Sequence, residues 1–158
     1  MSTIGNVDFL GQVTHFLGIE FTWYHHPDGN VSVNLTQQSF VEMLLDNLEL
    51  NSDTVSSFTT PYCPGISIDS IPISLISTSK LRLKYQSIVG SLNWLAHTTQ
   101  PDISTVVSLL AQHQNHPSQG HIDAAVYVIK YLSHTKQLGM TFSSAKCQQL
   151  ETFLHFPT

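Results

Sequence analysis

Residues 85–103, YQSIVGSLNWLAHTTQPDI, place Tyr85, Ile88, Val89, Leu92, Leu95 and Ala96 at intervals of three and four. Apolar side chains so spaced line one side of an α-helix, and a stripe of that length needs other elements to cover it. Gly90 and Ser91 sit within the stripe, and their small side chains predict close approach by another helix. Pro101 has a backbone angle preset for a first helical turn, and Asp102 places negative charge where the helix N-terminus favours it. A second helix then carries Ile103, Val106, Val107, Leu110 and Ala111, and Asn115-His116-Pro117-Ser118 breaks it. A third carries Ile122, Ala125, Ile129 and Leu132 on one face, with Val126 and Val128 thickening the stripe. Leu138–Phe142 alternates as a short strand.

The first half reads differently. Phe16, Leu17, Ile19, Phe21 and Trp23 precede His25-His26-Pro27-Asp28-Gly29-Asn30, and Val31, Val33 and Leu35 follow. Two runs of period-two character around a turn predict a β-hairpin over Phe16–Leu35. Thr36 offers a cap to a helix over about 37–48, with Val41, Leu44, Leu45 and Leu48 as its stripe and Phe40 and Met43 widening it. Asn51–Ser79 is rich in Ser, Thr and Pro, with Pro61, Pro64 and Pro72 interrupting regular structure. It is expected to be a linker between lobes, with Gly65–Leu75 as an extended segment.

The predicted class is therefore α+β: an N-terminal hairpin plus helix over 1–50, a long linker over 51–79, a three-helix unit with a short terminal strand over 80–143, and a tail over 144–158. No apolar run is long enough to span a membrane, and two cysteines, Cys63 and Cys147, fit reduced thiols. The expectation is an intracellular protein of the cytoplasm or nucleus. Only 11% of residues are charged, which suggests surface covered by neighbouring domains. All six basic residues follow position 79, whereas eight of the eleven acids precede it. Nucleic acid would thus be met by the second half, and weakly. Arg82 and Lys84, flanking the long helix, are the leading candidates for phosphate contacts, with Lys130 and Lys136 further on.

Self-contained catalysis finds little support in these residues. No G-x-S-x-G elbow, phosphate-cradling glycine loop or aspartate pair able to bridge two metals is present. His113, His116 and His121 are the best metal trio, but the expected reading is polar helix-end histidines that satisfy backbone carbonyls. Tyr85 and Trp94 are expected in the core because their spacing follows the stripe; base stacking by an exposed aromatic is the alternative.

The block Tyr85-Gln86-Ser87-Ile88-Val89-Gly90-Ser91-Leu92 with Gln100-Pro101-Asp102-Ile103 resembles a landmark of copia-type (Ty/copia) retrotransposon reverse transcriptases. Further fragments follow that family's order: Phe16-Leu17-Gly18-Ile19-Glu20, Leu35-Thr36-Gln37-Gln38, Thr60-Pro61, and Pro117, His121, Ala124-Ala125, Tyr131-Leu132, Thr135-Lys136 and Leu138-Gly139. The resemblance covers nearly the whole chain. It implies the stretch from the end of the polymerase palm through a thumb- or connection-like bundle, stopping before RNase H. Phe16, Leu17, Gly18, Ile19 and Glu20 would form a primer-grip-like element, and Tyr85, Gly90, Trp94, Pro101, Asp102 and His121 would be structural landmarks.

On that resemblance the chain would position template–primer and join polymerase to RNase H without containing either active site. It would have no catalytic, cofactor-binding or metal-binding residues of its own, and Mg2+ would belong to the catalytic domains outside it. Its partners would be template–primer nucleic acid and the palm and RNase H segments of the same polyprotein, with no membrane. Gln86 and Gln100 stand where the family commonly has arginine, which predicts a weakened nucleic-acid face. A repurposed protein-interaction module and a non-functional retroelement relic are the two alternatives.

Overall fold

The computed structural model describes residues 11–50, 58–62, 67–73 and 78–144. Four strands form one antiparallel sheet in sequential order: β1 (His15–Phe16), β2 (Ile19–His25), β3 (Val31–Thr36) and β4 (Met140–Ser143). Among the described residues four α-helices accompany them: α1 (Gln38–Asn47), α2 (Ser79–Thr98), α3 (Ser104–Ala111) and α4 (Gln119–Thr135). The architecture is the mixed sheet-and-helix class that the patterning predicts.

The predicted hairpin is present as β2 and β3, in register from Glu20 opposite Thr36 to His25 opposite Val31. Its loop is held by Asp28, whose carboxylate accepts from Asn30 N (3.0 Å) and Nδ2 (2.7 Å), and by Gly29 at φ +82°. Phe16 and Leu17, read as the start of the same strand, instead belong to a second, tighter hairpin. Phe16 pairs with Ile19 across the two-residue turn Leu17-Gly18, whose φ angles are +50° and +76°. Positive φ at both turn residues matches the twist of flanking strands, and Gly18 supplies one of them without steric cost.

Thr36 does not cap α1. It is the last residue of β3, and its hydroxyl donates to Glu20 Oε2 at 3.4 Å. The cap comes across the chain from Glu20, whose Oε1 accepts from Ser39 N (3.0 Å) and Ser39 Oγ (2.6 Å). Val41, Leu44 and Leu45 of α1 are buried, whereas Met43, placed in the apolar stripe by its spacing, is 46% exposed.

In α2, Thr78 Oγ1 accepts from Leu81 N, and all six stripe residues are buried. Full burial of one such aliphatic side chain is worth about 1.5–3 kcal/mol. Pro101 opens a 3-10 turn, Pro101–Ile103, which runs into α3 rather than starting an α-helix directly. In α4, Ile122, Ala125, Val128, Ile129 and Leu132 are buried as the periodicity predicts, together with His121 and Tyr131.

One buried cluster unites α1, α2, α3 and α4, so α1 belongs to the helical core rather than standing with the hairpin alone. The described parts of the 51–79 connection join that core. Ile68 is 3% exposed, Tyr62 Oη accepts from Ile68 N at 3.3 Å, and Phe58 meets the Tyr127 ring edge-on at 4.5 Å. Ile68–Ser70 is a 3-10 turn, not the expected extended segment; residues 65–66 and 74–75 of that prediction lie outside the described residues.

β4 begins two residues later than the alternation suggests and pairs with β3, Leu35 opposite Met140 and Ser32 opposite Ser143. Gly139 lets β4 enter: a Cβ there would lie 2.0 Å from Leu35 O. Alternation places Phe21, Trp23, Val33, Leu35, Met140 and Phe142 on one face of the sheet. None of these six belongs to the buried cluster, and Phe142 is 52% exposed.

Candidate nucleic-acid interface

The buried stripe of α2 fixes what the opposite side presents. Burying Tyr85, Ile88, Leu92 and Leu95 turns Lys80, Leu83, Lys84, Ser87, Gly90 and Trp94 outward. Gly90 has no atom within 4 Å of where a Cβ would lie, so the predicted close helix contact is absent there among the described residues. Trp94, expected in the core, is 36% exposed one turn beyond Gly90. The result is a low stretch at Ser87 and Gly90, with Trp94 at one end and Lys80, Leu83 and Lys84 at the other; Arg82, also exposed, projects from the neighbouring side of that same end. Beside it, Met43 and Asn47 of α1, Leu48 just after it, and Lys84, Ser87 and Ser91 of α2 border a groove of about 450 Å³.

The other two cation candidates are engaged within the fold. Lys136 Nζ donates to Glu42 Oε1 at 2.7 Å, joining α4 to α1, and this hydrogen bond is the first cause that lowers the pKa of Glu42. Lys130 lies 5.9 Å from the Phe58 ring centroid, over its face. The pair Arg82 and Lys84 therefore stands apart from Lys130 and Lys136 in availability.

Gln86 and Gln100 both bond within the fold. Gln100 is 3% exposed, and its Nε2 donates to Leu138 O (2.8 Å) and Thr135 O (3.4 Å) at the end of α4. Gln86 Nε2 donates to Gln114 O at 3.2 Å. Both amides satisfy main-chain carbonyls and so have an internal structural role.

Of the residues expected to form a primer-grip-like element, Phe16 and Leu17 project from the β1–β2 turn, 60% and 68% exposed. Non-glycine residues rarely adopt the left-handed conformation that Leu17 holds. Ile19 is half-buried, and Glu20 points to α1 as its cap, where the hydrogen bond from the Ser39 hydroxyl is the main cause of its lowered pKa.

Of the landmark residues, Tyr85 and Asp102 join helices to one another. Tyr85 Oη donates to Leu110 O at 2.7 Å, locking α2 to α3, and burial pushes the phenol pKa upward. Tyr131 Oη donates to Asp102 Oδ2 at 2.5 Å, and burial, aided by that carboxylate, pushes its pKa up to about 12. Gln37, which no periodicity singled out, is 1% exposed and accepts through Oε1 from Thr98 Oγ1 and, at 2.8 Å, from Thr99 Oγ1. It ties the start of α1 to the end of α2.

The metal trio does not assemble. His116 is exposed, whereas His113 and His121 stack with centroids 4.4 Å apart and planes tilted by 35°. Stacked rings do not aim their in-plane lone pairs at a common ion. Among the described residues, no three His, Cys, Asp or Glu side chains form a group able to hold a metal. No helix among the described residues is long and apolar enough to cross a membrane.

No protein-family model and no solved structure matches the chain. Curated proteins do. The putative transposon Ty5-1 protein of Saccharomyces cerevisiae is 33% identical over 139 residues, covering 85% of this chain and 41% of that protein. The retrovirus-related Pol polyprotein from transposon RE1 of Arabidopsis thaliana is 33% identical over 144 residues, 90% of this chain and 9% of the polyprotein. That from transposon RE2 is 31% identical over 141 residues, 88% and 9%. The chain thus spans under half the Ty5-1 protein and about a tenth of the two polyproteins. Along most of its length it is homologous to the Pol polyproteins of Ty5- and copia-type retrotransposons, and it corresponds to one segment of them.

Proposed function

We propose that this chain is the reverse-transcriptase thumb- and connection-like segment of such a polyprotein. It positions template–primer, joins the polymerase to RNase H, and takes no cofactor itself. The observation that carries this reading is the outward side of α2. Ser87 and Gly90 leave the helix surface low enough for a nucleic-acid backbone to lie against it, Trp94 offers a ring for stacking, and Lys80, Arg82 and Lys84 offer phosphate contacts. The exposed Leu17-Gly18 turn supports a second contact, at the primer. The apolar sheet face, with Phe21, Trp23 and Val33 half-exposed and Phe142 exposed, suits covering by the palm segment.

The test is binding of a labelled primer–template duplex at 50–200 mM salt. Removing Lys84 or Arg82 should lower affinity and reduce the salt slope by about one each. Trp94→Ala should cost affinity by about 1–3 kcal/mol if it stacks on a base. Unchanged binding in all three variants, or no binding by the parent chain at the lowest salt, counts against the reading. So does nucleotide incorporation by this chain alone with magnesium and primed template.

A second reading, a protein-interaction module, draws on the same apolar sheet face. A saturable protein partner together with salt-insensitive, negligible duplex binding would favour it.

A further inference from the structure

The α3–α4 corner contains two imidazoles that the nucleic-acid reading does not use. His121 is 0% exposed, at the third helical position of α4. Its Nδ1 accepts from Ser118 N at 3.1 Å, so Nδ1 carries no proton and the ring's N–H is at Nε2. That Nε2 is buried without a hydrogen-bond partner. The His113 ring lies against it at 4.4 Å, and its Nε2 also lacks a hydrogen bond, lying 3.5 Å from Asp69 Oδ1. The Tyr85 ring of α2 meets His121 edge-on at 6.2 Å.

We propose that His113 and His121 form a proton-operated latch: a proton taken up at His121 Nδ1 breaks its bond to Ser118 N and frees the first turn of α4 together with the connection resting on it. The neutral ring supplies the acceptor that caps Ser118. Protonation turns that acceptor into a donor, which Ser118 Oγ, 2.9 Å away, can accept, while the backbone amide of Ser118 loses its partner. The connection is tied to the same turn. Ile71 Cγ2 would lie 2.9 Å from a Cβ at Gly120, and Asp69 reaches His113.

Charged and titratable groups surround the corner. Asp69, 66% exposed, lies 3.5 Å from His113 Nε2, and a charged His113 opposes a proton on His121. Tyr85 is neutral over this range, since burial raises its pKa. His116 is exposed on the corner loop, and Asp123, also exposed, accepts from Gln119 Nε2 at 2.9 Å. Burial, then His113, lowers the pKa of His121. Its folded value is below the ordinary 6.5, so the cap is intact above that pH and is lost as pH falls below it. The inference is independent of any nucleic-acid contact.

Amide hydrogen exchange from pH 7.5 to 5.0, corrected for the intrinsic rate, tests the latch. Protection of amides 118–122 should fall about tenfold per pH unit once protonation begins, the slope of one linked proton, while amides 88–96 of α2 keep theirs. His121→Gln retains an acceptor at that helical position without titrating and should flatten the dependence. Should that variant not fold, His113→Phe keeps a stacked ring without charge and should move the transition to higher pH. Protection at 118–122 that ignores pH, or falls only in step with α2, overturns the proposal. An unchanged slope in folded His121→Gln, or an unmoved transition in His113→Phe, also overturns it.

Discussion

Glu20 of β2 holds both the backbone amide and the hydroxyl of Ser39, at 3.0 and 2.6 Å, and so closes the N-terminus of a helix nineteen residues further on. A negative charge there also meets the positive end of the helix dipole. The residue therefore joins the sheet to the helical core through its carboxylate. Glu20→Ala should cost about 1 kcal/mol in denaturant unfolding, the usual worth of an N-cap. Because the folded pKa is lowered from 4.5, its contribution is complete above that value and fades as pH falls through the lower folded one. Parent and variant should therefore converge in stability at acid pH, and a gap that stays constant from pH 7 to 3 would show that the charge is irrelevant.

Gly139 is the entry point of β4. An alanine methyl would be driven to 2.0 Å from Leu35 O and 2.9 Å from Thr36 Cγ2, atoms of the neighbouring strand that cannot step aside without breaking the ladder. Gly139→Ala should destabilise by more than about 2 kcal/mol. Amide exchange should show β4 released while α2 stays protected.

Gly90 gives the opposite result. It lies within α2 with open space around it, so Gly90→Ala should stabilise the fold by roughly 0.5–1 kcal/mol. If a nucleic-acid backbone lies against this strip, Gly90→Leu should weaken duplex binding while leaving thermal stability at or above the parent value. A variant that binds duplex as well as the parent does would remove Gly90 from the interface.

Tyr85→Phe removes one of two donors to Leu110 O, which keeps His113 N at 3.1 Å, and should cost about 0.5–1.5 kcal/mol. Absorbance titration of the phenols offers a companion measurement. Tyr131 should ionise near pH 12 and Tyr85 later still, both well beyond the ordinary value of 10. The stability these raised values confer is complete below pH 10 and is lost as pH rises through the folded values. Ionisation of all five tyrosines together near pH 10 in the folded protein would contradict this packing.

The helices were legible because their signal is local and repeated. Tyr85, Ile88, Val89, Leu92, Leu95 and Ala96 announce a buried side at a spacing only a helix can use. Trp94 shows where that reasoning stops: an aromatic at the margin of the stripe can face either way, and packing turned it outward. Gln37, Gln86 and Gln100 were illegible as structural residues because their partners, Thr98 and Thr99, Gln114, and Thr135 and Leu138, lie 28 to 62 positions away. Local spacing points to Thr36 as the cap of α1, whereas Glu20 supplies it from a neighbouring strand. Leu17-Gly18 hid its turn inside an apolar run, with only the glycine as a cue. The candidate site was half legible: the basic residues were evident, whereas the open strip at Gly90 needed the absence of a neighbour to be seen.

The sheet is built from opposite ends of the described chain. Ser144 Oγ accepts from Val31 N across 113 positions, and β4 lies along β3 from nearly as far away. During synthesis the hairpin of β2 and β3 can therefore form early, yet it keeps an unpaired edge until nearly all of α2, α3 and α4 has emerged. Closing so large a loop has an entropic cost that local helix formation does not, so pairing of β4 is expected as a late step that depends on a correctly docked bundle. The fourth strand then acts as a checkpoint on assembly. A chain interrupted anywhere between α1 and β4 leaves its sheet edge open and available to wrong partners.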